Sequence, residues 1–171
     1  LPCIESAEKW YKNDPNPTSA KYVKDLLDLA STDEKAIEEL ASLFPGDDSR
    51  VAFGTAGLRA AMKPGPLGMN DLTVVQTAQG LAKYCLKQDN SNKKSDIVCA
   101  VIGYDHRLNP ALQISSLTFA ILTALVFAEA GIECILLDGF VLTPLIPFVL
   151  QRVGAVAGIM ITASHNPKQD N

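Results

Sequence analysis

Val153-Gly154-Ala155-Val156-Ala157-Gly158-Ile159-Met160-Ile161, running into Thr162-Ala163-Ser164-His165-Asn166-Pro167-Lys168, is the stretch on which the fold turns. A short charge-free run rich in β-branched and small residues reads as a strand buried on both faces. It must stop at Asn166-Pro167, because proline donates no N–H and keeps the preceding residue out of the α region. Ser164 therefore falls just past a strand's carboxyl end, where open α/β sheets place their ligands. Small neighbours let backbone N–H groups approach an anion, and His165 and Lys168 bring positive charge, so a phosphate on or near Ser164 is stabilised. The same residue types also build ordinary strand-ending turns, and pattern alone leaves both readings open.

Two further segments share this character. Ile97–Ile102 reads as another buried strand, Ile132–Leu137 is strand-like although it carries Glu133, and Ala155–Ile161 is the core of the third. Between the first two lies Leu108–Ala128, without one charged residue and long enough in principle to span a bilayer. Gln113, Ser115, Ser116, Thr118 and Thr123 dilute it, and Gly131 ends it just before a strand. That order predicts a largely buried crossover helix over about 110–130. The expected fold is α/β: a three-layer α/β/α domain with a mainly parallel sheet. A strand near Val51–Phe53 is expected to add an antiparallel edge and make the sheet mixed.

Polar residues gather where the strands end. Gly103-Tyr104-Asp105-His106-Arg107 follows the first, and Asp105 can fix Arg107, which can in turn face an anion. A structural Asp–Arg pair is an equal reading. Further upstream, Phe53-Gly54-Thr55-Ala56-Gly57-Leu58-Arg59 combines two permissive glycines with a hydroxyl and a planar cation suited to bidentate phosphate binding. Its glycines match neither the dinucleotide fingerprint nor the P-loop, and a plain turn with a solvated arginine uses the same residues.

Residues 1–50 read as a helical extension and 51–171 as the α/β domain. Thr18 or Ser19 is expected to cap one helix carrying Tyr22, Val23, Leu26, Leu27 and Leu29. Thr32-Asp33 opens a second with Ile37, Leu40 and Leu43 on its stripe, and Trp10 anchors against the core. Asn70-Asp71 starts a helix with Leu72, Val75, Leu81, Ala82 and Cys85 inward and with Gly80 as a point of close packing. Asp89–Ser95 reads as a surface loop. Asp138-Gly139 turns the chain, and Thr143 caps a short helix entered at Pro144.

Composition narrows the function classes. The chain has 171 residues, is 47% hydrophobic and 20% charged, and carries a net charge of −4. It has no basic bias toward nucleic acid or an anionic membrane. Cys3, Cys85, Cys99 and Cys134 are too scattered for a zinc or CxxC site. No signal pattern or glycosylation sequon occurs, so a reducing, cytoplasmic setting is expected.

Thr162–Pro167 resembles the phosphoserine loop of the α-D-phosphohexomutases, the family of phosphoglucomutases and phosphomannomutases. Phe53–Arg59 is similar to a second loop of that family, Gly103–Arg107 to its glycine–aspartate–arginine segment, and Thr143-Pro144 to a threonine–proline step. The match runs from about Phe53 to Asn171, most of the family's first domain. Ala56 and Lys168-Gln169-Asp170-Asn171 are most similar to the branch of glucose and pentose mutases, phosphoglucomutase 2 and the phosphopentomutases.

The resemblance implies an intramolecular phosphotransferase, an isomerase of carbohydrate metabolism. The serine carries a phosphoryl group and gives it to a sugar monophosphate. The bisphosphate turns around and returns its other phosphate, so that phosphate moves between C1 and the terminal carbon. By this resemblance Ser164 is the nucleophile and, once phosphorylated, a ligand of Mg²⁺. His165 assists by hydrogen bonding, and Arg59, Thr55, Arg107 and Lys168 bind phosphate, with Arg59 beside the phosphoserine. His106 occupies a variable position. Mg²⁺ and glucose 1,6-bisphosphate are the implied cofactors. Glucose 1-phosphate, glucose 6-phosphate and ribose or deoxyribose 1-phosphate are the implied partners.

The family's remaining Mg²⁺ ligands are aspartates of its second domain, and its sugar and distal-phosphate loops belong to the third and fourth. A lysine proposed as its general base falls just beyond Asn171. The chain is accordingly expected to be a truncated first domain, inactive alone, with a non-catalytic phosphosugar- or partner-binding domain as the alternative. A serine hydrolase fits poorly, because Ser164 lacks the glycines of a nucleophile elbow.

Overall fold

The computed structural model describes residues 1–46, 48–92 and 98–163. Contacts divide them into two units, Leu1–Thr73 with Leu108–Ile114, and Val74–Arg107 with the stretch from Ser115 onward.

The first unit is built on α1 (Pro2–Tyr11), α2 (Pro17–Leu29) and α3 (Glu34–Leu43). Their apolar stripes meet in one cluster of Ala7, Trp10, Val23, Leu40, Leu43 and Phe44. Trp10 packs edge-on against Phe44, ring centroids 5.8 Å apart, which makes it the anchor expected. Helix α1 was not foreseen, although Cys3, Ala7 and Trp10 share its inner stripe. The cap of α2 is Asn16, not Thr18 or Ser19. Pro17 takes the first helical position, and the Asn16 side chain accepts from the N–H groups of both Thr18 and Ser19. Asp33 caps α3 through the Lys35 N–H.

The second unit holds three parallel strands, β1 (Cys99–Tyr104), β4 (Glu133–Leu136) and β5 (Ala157–Ile161), in the order β4-β1-β5. Registers Ala100↔Cys134 and Ala100↔Ala157 align them. Each starts one or two residues later than the sequence reading placed it. Ala100, Ile102, Tyr104, Cys134, Ala157, Ile159 and Ile161 face α4 (Asp71–Asn92) and α5 (Ser116–Glu129). Gly103 and Gly158 face α6 (Leu145–Val153) on the other side, giving three layers.

Several expectations need correction. Only β1, the central one of the three described strands, is deeply buried; β4 and β5 on either side of it are half-buried to exposed. The uncharged run does not become a helix at Pro110. Leu108–Asn109 (β2) and Ile114–Ser115 (β3) pair as a tight hairpin, and α5 starts only where Ser115 caps it by accepting from Thr118 N–H. Gln113 turns the hairpin at φ 53°, and Asn109 braces it by accepting from Leu112 N–H. Nor is α5 largely buried, for Leu117, Ile121 and Leu125 stand exposed. Val74, rather than Val75, faces the core from α4, which extends through residues 89–92 where a loop was expected. Thr143 gives α6 no side-chain cap; its carbonyl accepts from Ile146 N–H instead. The antiparallel element near residue 51 is one isolated bridge, Phe53 to Leu58, in the first unit and outside the three-stranded sheet.

Candidate active site

The carboxyl ends of β1 and β5 lie side by side, with Tyr104↔Ile161 as the last register pair. Beyond that pair come Asp105 and Thr162. The Asp105 N–H donates to Ile161 O at 3.1 Å, carrying the pairing one step past the strand. The Asp105 carboxylate then gathers donors from three places. Ser116, at the start of α5, donates its hydroxyl at 2.6 Å. Arg107 donates its backbone N–H at 3.1 Å and Nε at 3.0 Å. Thr162 donates its hydroxyl from the end of β5. Burial pushes the Asp105 carboxyl up, but Ser116, the Arg107 N–H, Thr162 and the Arg107 guanidinium outweigh it, so the group is held below the usual carboxylate range.

Arg107 is thereby placed. It is only 9% exposed, and its Nε donates to Asp105, a pairing that both readings of the segment require. His106 turns outward, edge-on to Phe140 at 6.1 Å, and Phe140 also meets Tyr104 at 6.0 Å.

Thr55 and Arg59 belong to the first unit. The bridge between Phe53 and Leu58 closes a tight loop, in which Gly54 N–H donates to Gly57 O at 2.8 Å. Gly57 takes φ 156°, a backbone value that its missing Cβ permits. Thr55 and Arg59 are both exposed on this loop. Ser164, His165 and Lys168 lie outside the described residues. Among the described residues no group of three or more His, Cys, Asp or Glu is placed to hold a metal ion.

Two features escaped the sequence reading. The sequence pairs Asp105 with Arg107 alone, whereas Ser116 and Thr162 also converge on it. In the first unit a second polar cluster is buried. Asn16 donates to Leu112 O at 3.2 Å and to Asp71, and Asp14 accepts from the Ser19 hydroxyl and from Asn16 N–H. The only signal for either was polar residues at strand and helix ends.

A three-layer α/β domain with its polar loops at the strands' carboxyl ends has a matching family. The family model described as phosphoglucomutase/phosphomannomutase, alpha/beta/alpha domain I, matches residues 50–171. The chain belongs to this family of phosphosugar mutases. It is 43% identical over 167 residues to a phosphopentomutase of Homo sapiens, covering 98% of this chain and 26% of that protein. It is 41% identical over 165 residues to a phosphoribomutase of Saccharomyces cerevisiae, covering 95% of this chain and 24% of the relative. A glucose 1,6-bisphosphate synthase of Homo sapiens is 38% identical over 163 residues, again 95% of this chain and 24% of the relative. The chain thus spans about a quarter of the length of the relatives it matches. No solved structure matches it.

Proposed function

We propose that the protein carrying this chain moves phosphate between C1 and the terminal carbon of an aldose phosphate, through a phosphoserine at Ser164 and a sugar bisphosphate. The observation that carries the reading is the similarity over 98% of the chain to a protein named phosphopentomutase, together with the Thr162–Pro167 loop. Phosphopentomutase and phosphoribomutase relatives reach 41–44% identity and the bisphosphate synthases 38–39%. That order favours ribose or deoxyribose 1-phosphate as substrate, with glucose 1-phosphate and glucose 6-phosphate as the hexose counterparts.

Phosphoryl transfer needs alignment and charge neutralisation more than covalent chemistry of the protein's own. Ser164 Oγ accepts the phosphoryl group from a sugar bisphosphate, such as glucose 1,6-bisphosphate, and returns it to the sugar monophosphate. Arg59 grips phosphate with its planar fork, Thr55 adds a hydroxyl beside it, and Lys168 and His165 flank the serine. Arg107, held by Asp105, contributes a fixed positive charge at the strand ends. The described residues supply no donor set for Mg²⁺, so its assignment rests on Ser164 and the resemblance, and no step here is routed through it. Four free cysteines accord with a reducing cytoplasm.

The test is made on the full-length protein with glucose 1,6-bisphosphate and, separately, ribose 1-phosphate. Ser164 should carry phosphate by peptide mass spectrometry, and ribose 5-phosphate should accumulate. Ser164→Ala should lose both. Phosphate on Thr162 instead would overturn the assignment, and sugar-phosphate binding without any turnover would favour a non-catalytic binding domain.

A further inference from the structure

We propose that Asp105 is a positioning residue for phosphoryl transfer: its carboxylate ties Thr162 to β1 and α5 and so sets the point from which the chain runs on to Ser164. This rests on the reading of Ser164 as phosphoryl acceptor.

Thr162 is the first residue beyond β5 and lies two positions before Ser164. Its hydroxyl reaches Asp105, the first residue beyond the neighbouring strand β1. The same carboxylate takes the Ser116 hydroxyl at 2.6 Å and Arg107 Nε at 3.0 Å. Ser116 is fully buried, so this anchor cannot swing away into solvent. A salt bridge with Arg107 alone would not require Ser116 or Thr162 to converge on Asp105. One acceptor-only group serving four donors does account for their placement. An amide cannot replace it, because one of its two heads would present hydrogens to groups that themselves donate. A nucleophile that must meet a phosphorus atom in line is sensitive to small displacements, and ~1 Å of misplacement can cost ~100-fold in rate.

The experiment uses the full-length protein and measures single-turnover transfer of phosphate from glucose 1,6-bisphosphate to Ser164, alongside thermal unfolding. Asp105→Asn and Thr162→Val should each slow transfer by ~10–100-fold, and Thr162→Val, which leaves the Asp105–Arg107 pair intact, should do so with little change in bisphosphate affinity. Because they act through one hydrogen bond, the double variant should be no slower than the slower single. Thr162→Ser, which keeps the hydroxyl, should recover to within about 3-fold of the parent rate. Rates equal to the parent with only a lower melting temperature would show a purely structural role and overturn the proposal. So would losses that multiply in the double variant. If Asp105→Asn does not fold, the Thr162→Val and Thr162→Ser pair decides alone. A parent protein that never acquires phosphate on Ser164 overturns the functional reading itself, and this proposal with it.

Discussion

Asp71, at the first turn of α4, is a carboxylate only 5% exposed that lies within electrostatic reach of a second acid, Asp14. Its Oδ1 has no hydrogen-bond partner. Burial first, and the Asp14 charge second, push its carboxyl up to about 6 against a hydrogen bond from Asn16. Asp14 is raised as well, by burial, against hydrogen bonds from the Ser19 hydroxyl and Asn16 N–H. The folded state therefore holds protons that the unfolded chain, with its acids near 3.8, has already released. Stability must fall as pH rises from about 4 to about 6 and stay at the lower level above that.

The melting temperature of the first unit should accordingly be higher at pH 5 than at pH 8. Asp71→Asn should flatten much of that difference and raise stability at pH 8, since a neutral amide lifts the charge burden. Unfolding followed by Trp10 fluorescence across this range measures both. A melting temperature that rises from pH 5 to pH 8 would contradict the account.

Asn70 should be among the costliest positions to change. It is fully buried, its Nδ2 donates to Lys63 O at 3.0 Å, Gly65 O at 2.8 Å and Gly68 O at 3.2 Å, and its Oδ1 caps α4 by accepting from Thr73 N–H at 2.9 Å. Asn70→Ala strips these groups together and should cost about 3 kcal/mol, read by urea unfolding. Asn70→Asp should do no better, because a carboxylate would face three carbonyl oxygens.

The glycines divide by what a methyl group would meet. A Cβ at Gly103 would come 2.5 Å from Val141 Cγ2 and 2.6 Å from Ile146 Cδ1, whereas one at Gly80 meets nothing. Gly103→Ala should push α6 off the sheet and destabilise by about 1–3 kcal/mol. Gly80→Ala should stabilise by about 0.5–1 kcal/mol through helix propensity and reduced freedom of the unfolded chain. Paired denaturation curves of the two variants should therefore move in opposite directions.

This contrast also shows how far the sequence could be read. The central strand is legible because a position covered on both sides requires a charge-free, β-branched run such as Cys99–Tyr104, and the two beside it are marked by short, mostly apolar runs. Gly80 looks like a packing contact in sequence but faces open space, because a helix pattern says nothing of which face meets a neighbour. The hairpin at Leu108–Ser115 was hidden because uncharged residues suit helix and strand alike, and the left-handed turn at Gln113 has no composition signal. At the site, Asp105 and Arg107 are neighbours in sequence and their pairing could be anticipated. Ser116 and Thr162 reach the same carboxylate only because β1, β5 and the start of α5 come together in the fold. Hydroxyls inside apolar runs read as diluents until such a partner is visible.

The two arginines proposed to bind phosphate should fail in different ways when changed to lysine. Arg107 is buried, and its Nε–H occupies a defined position on Asp105, 3.0 Å from Oδ2. Lysine keeps the charge but has no donor at that point of its stem, so Arg107→Lys should lower the melting temperature of the full-length protein and also slow phosphoryl transfer. Arg59 is exposed on the loop closed by the bridge between Phe53 and Leu58, and exposed side chains change stability little, within about 0.5 kcal/mol. In the proposed role its rigid fork would hold two phosphate oxygens at once, which an ammonium cannot copy. Arg59→Lys should therefore leave the melting temperature nearly unchanged while cutting transfer to Ser164 by ~10-fold or more. Phosphoserine mass spectrometry after a timed exposure to glucose 1,6-bisphosphate, set beside a thermal scan, separates the two patterns. Undiminished transfer in Arg59→Lys would place that arginine outside the site and leave phosphate recognition to Arg107 and the cations flanking Ser164.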